Sequence, residues 1–459
     1  MGGLNTSLLI GMQALEANQA ALNTTSNNIA NSNTAGYTRE VANFSENEEN
    51  LDGDQVSGGG VTLEGIQSIR DELLNLQIQQ QTSQQSSADT ISSGLSSVEE
   101  LFSSNGEDIA TTLSAFSSSL SALSASPSSS SAQEAVVTAG QNLAQSFNTT
   151  ANGLTTAQSA ADQQVTQTVT SINSITQQIA QLNSQLSSTN TSETNGGTLE
   201  DQRDELVQQL SSLTGISITQ SSDGEVITTG NGTPLVMGGQ SYSLQTTTGS
   251  NGFQQVLDSN GNNITSDISG GTLGGAIQLR DTIIPGFQTS LDDLASQLAA
   301  KFNTAQEAGY DSTGSAGQAF FSVPTGTTGA AAGISVALTS GSQVAYSSDG
   351  TSGSNGNVAN LTSALTTALS SGQTATAAYS SLVYQVGSAS SNATAQSSAL
   401  GTSLLQLTNQ QSSVSGVDVD EETTNLIRYQ TAYEAAARIV STVQALNTVT
   451  LDMGSGQSY

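Results

Sequence analysis

The chain opens on a seven-residue rhythm. Leu8, Leu15, Leu22 and Ile29 recur at heptad spacing, with Leu4 and Met12 widening the stripe, and predict one helix over residues 4–31. It runs out into Asn31-Ser32-Asn33-Thr34-Ala35-Gly36-Tyr37, residues that tolerate irregular backbone. Residues 38–66 read as extended or looped, with Gly58-Gly59-Gly60 breaking the run before Val61 and Leu63. From about 67 to 215 the helical period returns. Leu73, Leu76, Ile78 and Gln80 open one long helix, and Val165, Val169, Ile172, Ile175, Ile179, Leu182 and Leu186 step by three or four along another. The Ser-rich stretch 117–131 around Pro127 predicts a loop. Asn195-Gly196-Gly197 predicts a break before a helix from Leu199 to Leu213.

After Gly215 the pattern shortens. Ile216-Ser217-Ile218 and Glu225-Val226-Ile227 flank the turn Asp223-Gly224, a hairpin signal. Further short runs at Leu235–Met237, Tyr242–Leu244 and Gln255–Leu257 make 216–269 a small β domain. Helix resumes over Gly275–Lys301, with Pro285 kinking or splitting it. The insert 309–357 carries ten glycines and reads as short strands or as partly mobile chain. Leu382 to Leu407 is helix-compatible. Ser415-Gly416-Val417 breaks it, and Asp418 or Asp420 can cap the last helix, whose following Glu421 and Glu422 suit its dipole. That helix carries Leu426, Tyr429, Tyr433, Ala436, Val440 and Val443 at 3-4-3-4-3 spacing, a coiled-coil seam. The expected class is mainly α with a β-containing outer region and long coiled-coil-like terminal helices from both chain ends.

Charge separates the ends from the middle. The 459 residues carry a formal charge of −31, with seven basic residues against 38 acidic ones. Residues 1–39 hold one acid (Glu16) and one base (Arg39), and residues 418–459 hold six acids and two bases. The self-repelling part is the body, while the apolar-striped ends are nearly neutral and can crowd together in an assembly. Such a charge disfavours nucleic acid and acidic membrane surfaces as partners. There is no Cys, His or Trp, and Lys301 is the one lysine. Zinc, copper, haem and iron–sulfur sites thereby lose their usual ligands, and Ser or Cys hydrolysis its usual base. Leu8-Leu9-Ile10-Gly11-Met12 is too short to span a membrane, and no base precedes Arg39, so no cleaved signal peptide is expected.

Two long helices with one apolar stripe each must bury it somewhere. They can pair within one chain, or pack against neighbouring copies. The expected assembly interface is Leu8, Leu15, Leu22 and Ile29 with Leu426, Tyr429, Tyr433, Ala436, Val440 and Val443. Tyr429 and Tyr433 suit a packed contact with a polar rim.

Other candidate chemistry has a plainer reading. The carboxylate pairs Glu48/Glu49, Glu99/Glu100, Asp292/Asp293 and Glu421/Glu422 project about 100° apart where helical and read as solvated faces. Asp258-Ser259-Asn260-Gly261-Asn262-Asn263 lacks the Gly and the bidentate Glu of a calcium loop and reads as a turn. Leu298 stands where a Ser-x-x-Lys serine would be needed before Lys301, so that lysine is expected to snorkel at a helix edge. Arg203 within Asp201-Gln202-Arg203-Asp204-Glu205 reads as an in-helix ion pair. No catalytic residue, metal or cofactor is expected.

The stretch from Ala21 through Asn27-Asn28-Ile29, Asn31, Gly36-Tyr37 to Arg39 resembles the N-terminal signature of the flagellar rod, hook and hook-associated proteins. Gly416-Val417 with the acids and Tyr429-Gln430 that follow resembles their C-terminal one. In the middle, Asp201-Gln202-Arg203-Asp204-Glu205-Leu206-Val207, Gly274-Gly275-Ala276-Ile277-Gln278-Leu279-Arg280-Asp281, Phe302-Asn303, Gly309-Tyr310-Asp311 and Phe320-Phe321 are similar to the hook-associated protein 1 (FlgK) family. That resemblance implies a nested architecture: a terminal helical domain from 1–39 with 418–459, a helical rod-like domain from 40–215 with 270–308 and 358–417, the β domain 216–269 and the insert 309–357. It further implies an extracellular place in the flagellum, export without a cleaved signal and a chaperone on the C-terminal helix. Self-assembly into a ring would then bring contacts with hook protein and a second junction protein. A hook or distal-rod subunit is the neighbouring alternative, and a secreted adhesin or enzyme the alternative of another class.

Overall fold

The computed structural model describes residues 2–34, 36–47, 50–52, 55–102, 108–188, 196–221, 224–324, 326 and 328–455. α1 (Gly2–Asn31) leads into four short strands, β1 (Glu40–Glu46), β2 (Asn50–Asp52), β3 (Gln55–Ser57) and β4 (Val61–Ser68). β1 pairs antiparallel with β4, and β2 with β3. Four helices follow: α2 (Glu72–Phe102), α3 (Ile109–Ala125), the 59-residue α4 (Ser130–Ser188) and α5 (Gly196–Leu213). β5 (Ile216–Ser221), β6 (Gly224–Thr229), β7 (Pro234–Met237) and β8 (Gln240–Ser241) form one antiparallel sheet in chain order, and β9 (Gln245–Thr248) pairs separately with β10 (Gln254–Leu257). Next come α6 (Gly271–Gln278), a π-helical turn at Leu279–Ile283 and α7 (Ile284–Glu307). β11 (Phe321–Ser322), α8 (Ala330–Gly333) and β12 (Ser335–Val336) precede α9 (Val358–Thr366), α10 (Ala375–Ser415) and α11 (Val419–Ser455).

Two compact units divide the chain, each built from separated stretches. The first comprises Met1–Ser83, Ser171–Leu244 and Gly401–Tyr459; the second comprises Gln84–Thr170 and Gln245–Leu400. The β region read at 216–269 thus gives β5–β8 to the first unit and β9–β10 to the second. The hairpin expected at 216–227 is present as β5–β6, though Asp223 of its turn lies outside the described residues, as do Ala35, Glu48, Glu49 and Asn195.

The second unit holds the largest apolar core. Phe116, Phe302, Phe320 and Phe321 meet there with ring centroids 4.8–5.9 Å apart, all at most 1% exposed. Phe320 and Phe321 come from the Gly-rich insert, whose Ile334, Leu338, Val344 and Tyr346 are also buried in this core. Tight turns let such a segment deliver apolar side chains inward from almost no regular structure.

Part of the Ser-rich stretch 117–131 is helix, not loop. Ile109, Leu113, Phe116, Leu120 and Leu123 line the buried side of α3, while Ser118 and Ser121 donate back to the carbonyls of Ser114 and Ser117. Serine there sits on the solvent face, and a buried 4-3-4-3 stripe outweighs its modest helix propensity. The turn is confined to 126–129. At Pro285 the helix does divide: Pro285 sits in the first turn of α7, directly after the π turn.

Candidate assembly interface at the paired chain ends

α1 and α11 pack along one another in the first unit. The pairing is antiparallel. A Cβ on Gly11 would stand 2.8 Å from Val440 Cγ2, past the middle of α11, while Asn28 bonds to Glu422 near its start. On α11 the seam faces inward within the chain. Ala436 and Val443 are 5% and 7% exposed, and Leu426, Tyr429, Tyr433 and Val440 are half-buried. On α1 the deepest line is not the leucine heptad. It is Gly11, Ala17, Ala21, Thr24, Thr25 and Asn28; Leu8, Leu15, Leu22 and Ile29 flank it half-buried. Glycine at 11 lets the two helices approach closely, because any side chain there would meet Val440, whereas Ile10 and Gln13, on the helix face of Ala17 and Thr24, lie against Gly60 just before β4.

A polar lock closes this pair where α1 ends. Asn28, 1% exposed, donates through Nδ2 to the Glu40 carbonyl (2.8 Å) and to Glu422 Oε2 (3.1 Å). Its Oδ1 accepts from the Tyr37 hydroxyl (2.8 Å) and the Glu40 N–H (3.0 Å). Both halves of the amide are used, so neither Asp nor Leu could replace it without leaving a buried group unpaired. Arg39 donates from Nε to Glu422 Oε1 (2.8 Å) and from Nη2 to Glu421 Oε1 (2.6 Å), and its own N–H donates to the Ser415 carbonyl (2.9 Å). Hydrogen bonding to Glu421 raises the Arg39 pKa despite the opposing cost of burial. Burial, with Glu40, Asp201 and Glu422 nearby, raises the Tyr37 phenol far above its ordinary value, so it stays a donor.

The remaining motif positions shape the turns. Gly36 has φ +78°, a backbone that L side chains rarely adopt. Asn31 donates to the Asn27 carbonyl and accepts from Thr34 Oγ1, closing the helix end, while Asn27 itself is exposed. A side chain on Gly416 would strike the Ser412 carbonyl, and half-buried Val417 leads to Asp418, which caps α11 by accepting from the N–H groups of Asp420 and Glu421. Glu422 was expected on a solvated face. It is 2% exposed because Arg39 and Asn28 hold it.

Beside the lock, Arg70 pairs with Asp201 (2.6 Å), Asp204 (3.0 Å) and Glu200 (3.3 Å), while Arg203 reaches Glu225 on β6 (3.1 Å). The in-helix pair expected for Arg203 is only a 3.7 Å contact with Asp204, because the helix face carrying it is turned to strand β6. Burial pushes Asp204 up to about 6 against the pull of both arginines. Thr38 N–H donates to Asp201, tying this cluster to the lock and lining a cavity of about 630 Å³ with Tyr37 and Gly416.

Past Glu422, the side of α11 turned away from α1 is apolar as well. Ile427, Ile439, Leu446, Val449 and Met453 are between 49% and 68% exposed there, and α1 adds Leu9 and Met12, 50% and 55% exposed. This second face went unread in the sequence, although Ile439, Leu446 and Met453 follow their own heptad beside the seam.

The other candidate groups have structural duties. Asp258 accepts from the N–H groups of Asn260 and Asn262, which is a turn. Lys301 donates to Thr367 Oγ1 and the Ala368 carbonyl (both 2.6 Å), capping the end of α9. Asp292 accepts from the N–H groups of Gly329 and Ala331, and Glu99 and Glu100 are exposed. In the second unit Arg280, 2% exposed, spans Asp162, Asp281 and the Gln254 carbonyl, which accounts for its motif. No described helix is long and apolar enough to cross a membrane.

Comparison with known proteins matches these same regions. Residues 95–321 fit the model of the flagellar hook-associated protein FlgK helical domain, 8–38 that of the flagella basal body rod protein, and 409–453 that of the flagellar basal body rod FlgEFG protein C-terminal region. Flagellar hook-associated protein 1 of Bacillus subtilis is 29% identical over 98% of this chain and 99% of its own length. Its Escherichia coli counterpart is 26% identical over 95% and 97%. The structure of the hook junction protein FlgK from Burkholderia pseudomallei covers 74% of this chain and all of its own at TM-score 0.67; at 18% identity that likeness speaks for the fold. With a matching middle between two matching ends, the chain belongs to the FlgK family of flagellar hook-associated proteins.

Proposed function

We propose that this protein is a structural, non-enzymatic subunit of the hook–filament junction of the bacterial flagellum, held there by its paired chain ends. One observation carries the reading: helices from opposite ends of the chain are locked together by Arg39, Asn28 and Glu422, yet still present an apolar outer face to solvent. A single folded chain gains nothing from such a face, and a neighbouring copy can cover it. Residues 1–39 with 418–459 then form the assembling part, and the intervening chain the body outside it. Copies close into a ring that contacts hook protein on one side and a second junction protein on the other. Before export, a chaperone shields α11, whose exposed Ile427, Ile439 and Leu446 would otherwise promote association too early.

A hook or distal-rod subunit would share both terminal signatures. The central match over 95–321 favours the junction protein. Deleting 419–459 is the test. Immuno-electron microscopy should find the full chain at the distal end of the hook and the truncated chain absent from it, with filaments shed. A truncated chain still seated there, or filaments retained, would overturn the proposal, and an activity of the body surviving the deletion would favour an adhesin or enzyme.

A further inference from the structure

Of the seven basic residues, Arg39, Arg70, Arg203 and Arg280 are ion-paired, and Lys301 caps a helix. The other two, Arg428 and Arg438, are exposed on α11, and no carboxylate lies within ion-pair distance of either among the described residues. Arg428 stacks over Tyr429, 4.9 Å from the ring. In a chain of charge −31, two unpaired cations on one helix stand out.

Successive helical residues turn by about 100°. On that wheel Ile427, Arg428, Arg438, Ile439, Leu446 and Met453 share one face of α11, opposite the seam; past Glu422 the helix's acids, Glu434 and Asp452, fall together at its edge. The outer face of α1 carries Leu9, Met12 and Glu16, the one acid before Glu40. Glu16 is exposed and has no base within ion-pair distance among the described residues. The two outer faces are therefore complementary: apolar with an acid, apolar with bases.

We infer that the outer face of α11 docks on the outer face of α1 of a second copy, with Arg438 paired to that copy's Glu16. The inference rests on the junction reading above and names the contact it uses. Gly11 lies beside Val440 and Asn28 beside Glu422, which sets Glu16 level with positions 434–435 of α11. In copies standing side by side at equal height, Arg438 is three or four residues further along, about 5 Å at about 1.5 Å per residue, within reach of an arginine side chain. The contact is heterologous, each copy offering α11 to one neighbour and α1 to the other, as closure into a ring requires. Glu434, one turn before Arg438, is the in-chain competitor for it. The charge pair selects register and partner, and the apolar residues supply the burial.

Charge reversal tests this in full-length protein. Glu16→Arg and Arg438→Glu should each weaken association between copies roughly three- to tenfold per contact at low salt, less as salt screens it. Each should leave the melting temperature of the free chain unchanged. The decisive arm mixes the two single variants. Every contact between unlike copies then joins opposite charges, either the native pair or the same pair with its signs exchanged. Flagella of cells expressing both variants should therefore retain filaments as wild type does, while either variant alone sheds them. Failure of the mixture to rescue, or single variants that keep their filaments, would overturn the contact; the latter, combined with loss on deleting 419–459, would leave the junction reading standing. As a second readout, the chain has no Cys, so Glu16→Cys with Arg438→Cys and a short bis-maleimide should give a ladder of multimers from isolated flagella. Only cross-linked monomer would refute pairing between copies.

Discussion

Arg39→Met should release the paired ends at a cost of about 3–5 kcal/mol, the penalty for leaving one member of a buried ion pair uncompensated. The stranded group is Glu422, whose side chain is 3% exposed and, among the described residues, would keep only the Asn28 amide as a partner. Glu421, at 55% exposed, loses little, because water already screens it. In a thermal melt followed by circular dichroism, the helical signal of α1 and α11 should be lost at lower temperature. The second unit, with its core around Phe116 and Phe302, should melt as before. Adding Glu422→Gln, which removes the orphaned charge and keeps an acceptor for Asn28, should recover part of the loss. An unchanged melt in Arg39→Met would mean that the lock is not what joins the ends.

Val443→Asp should do comparable damage by another route. Val443 is 7% exposed in the seam, so the substitution forfeits about 1.5–3 kcal/mol of burial and forces a carboxylate against α1, for a total of roughly 3–4 kcal/mol. Limited proteolysis should cut near the break at Ser415–Asp418 first, and filaments should detach. Leu446→Asp, on the outer face, gives the contrast: it is 49% exposed, so the free chain should keep its stability while association between copies fails. Equal destabilisation of the free chain by both would contradict the division into an inner seam and an outer face.

The helices of this protein were legible because long stripes leave little choice of period. The 3-4-3-4-3 run from Leu426 to Val443 located α11 and its inner face, and the break at Gly416 located its start. Depth was harder to read. In α1 the leucine heptad marked the helix, but the most buried line is Gly11, Ala17, Ala21 and Thr24, since α1 packs against β1 and β4 as well as against α11. That line is visible in hindsight as small residues spaced three to six apart. The lock was out of reach, because Arg39 and Glu422 lie 383 positions apart and adjacent acids ordinarily mean a solvated face. The same holds for Arg203 and Glu225, and for Phe320 and Phe321, which a Gly-rich insert carries into the core. Local pattern predicts elements; contacts between distant elements decide which polar groups are buried.

The two chain ends pair inside one molecule and meet other copies only through their outer faces. Gly11→Cys with Val440→Cys places two thiols in the seam of a chain that has no other cysteine. Oxidised in isolated flagella and resolved on a non-reducing gel, this variant should run as a monomer of altered mobility, its disulfide closed within the chain. A ladder of disulfide-linked multimers would show that α1 and α11 pair between copies, and would contradict pairing within one molecule.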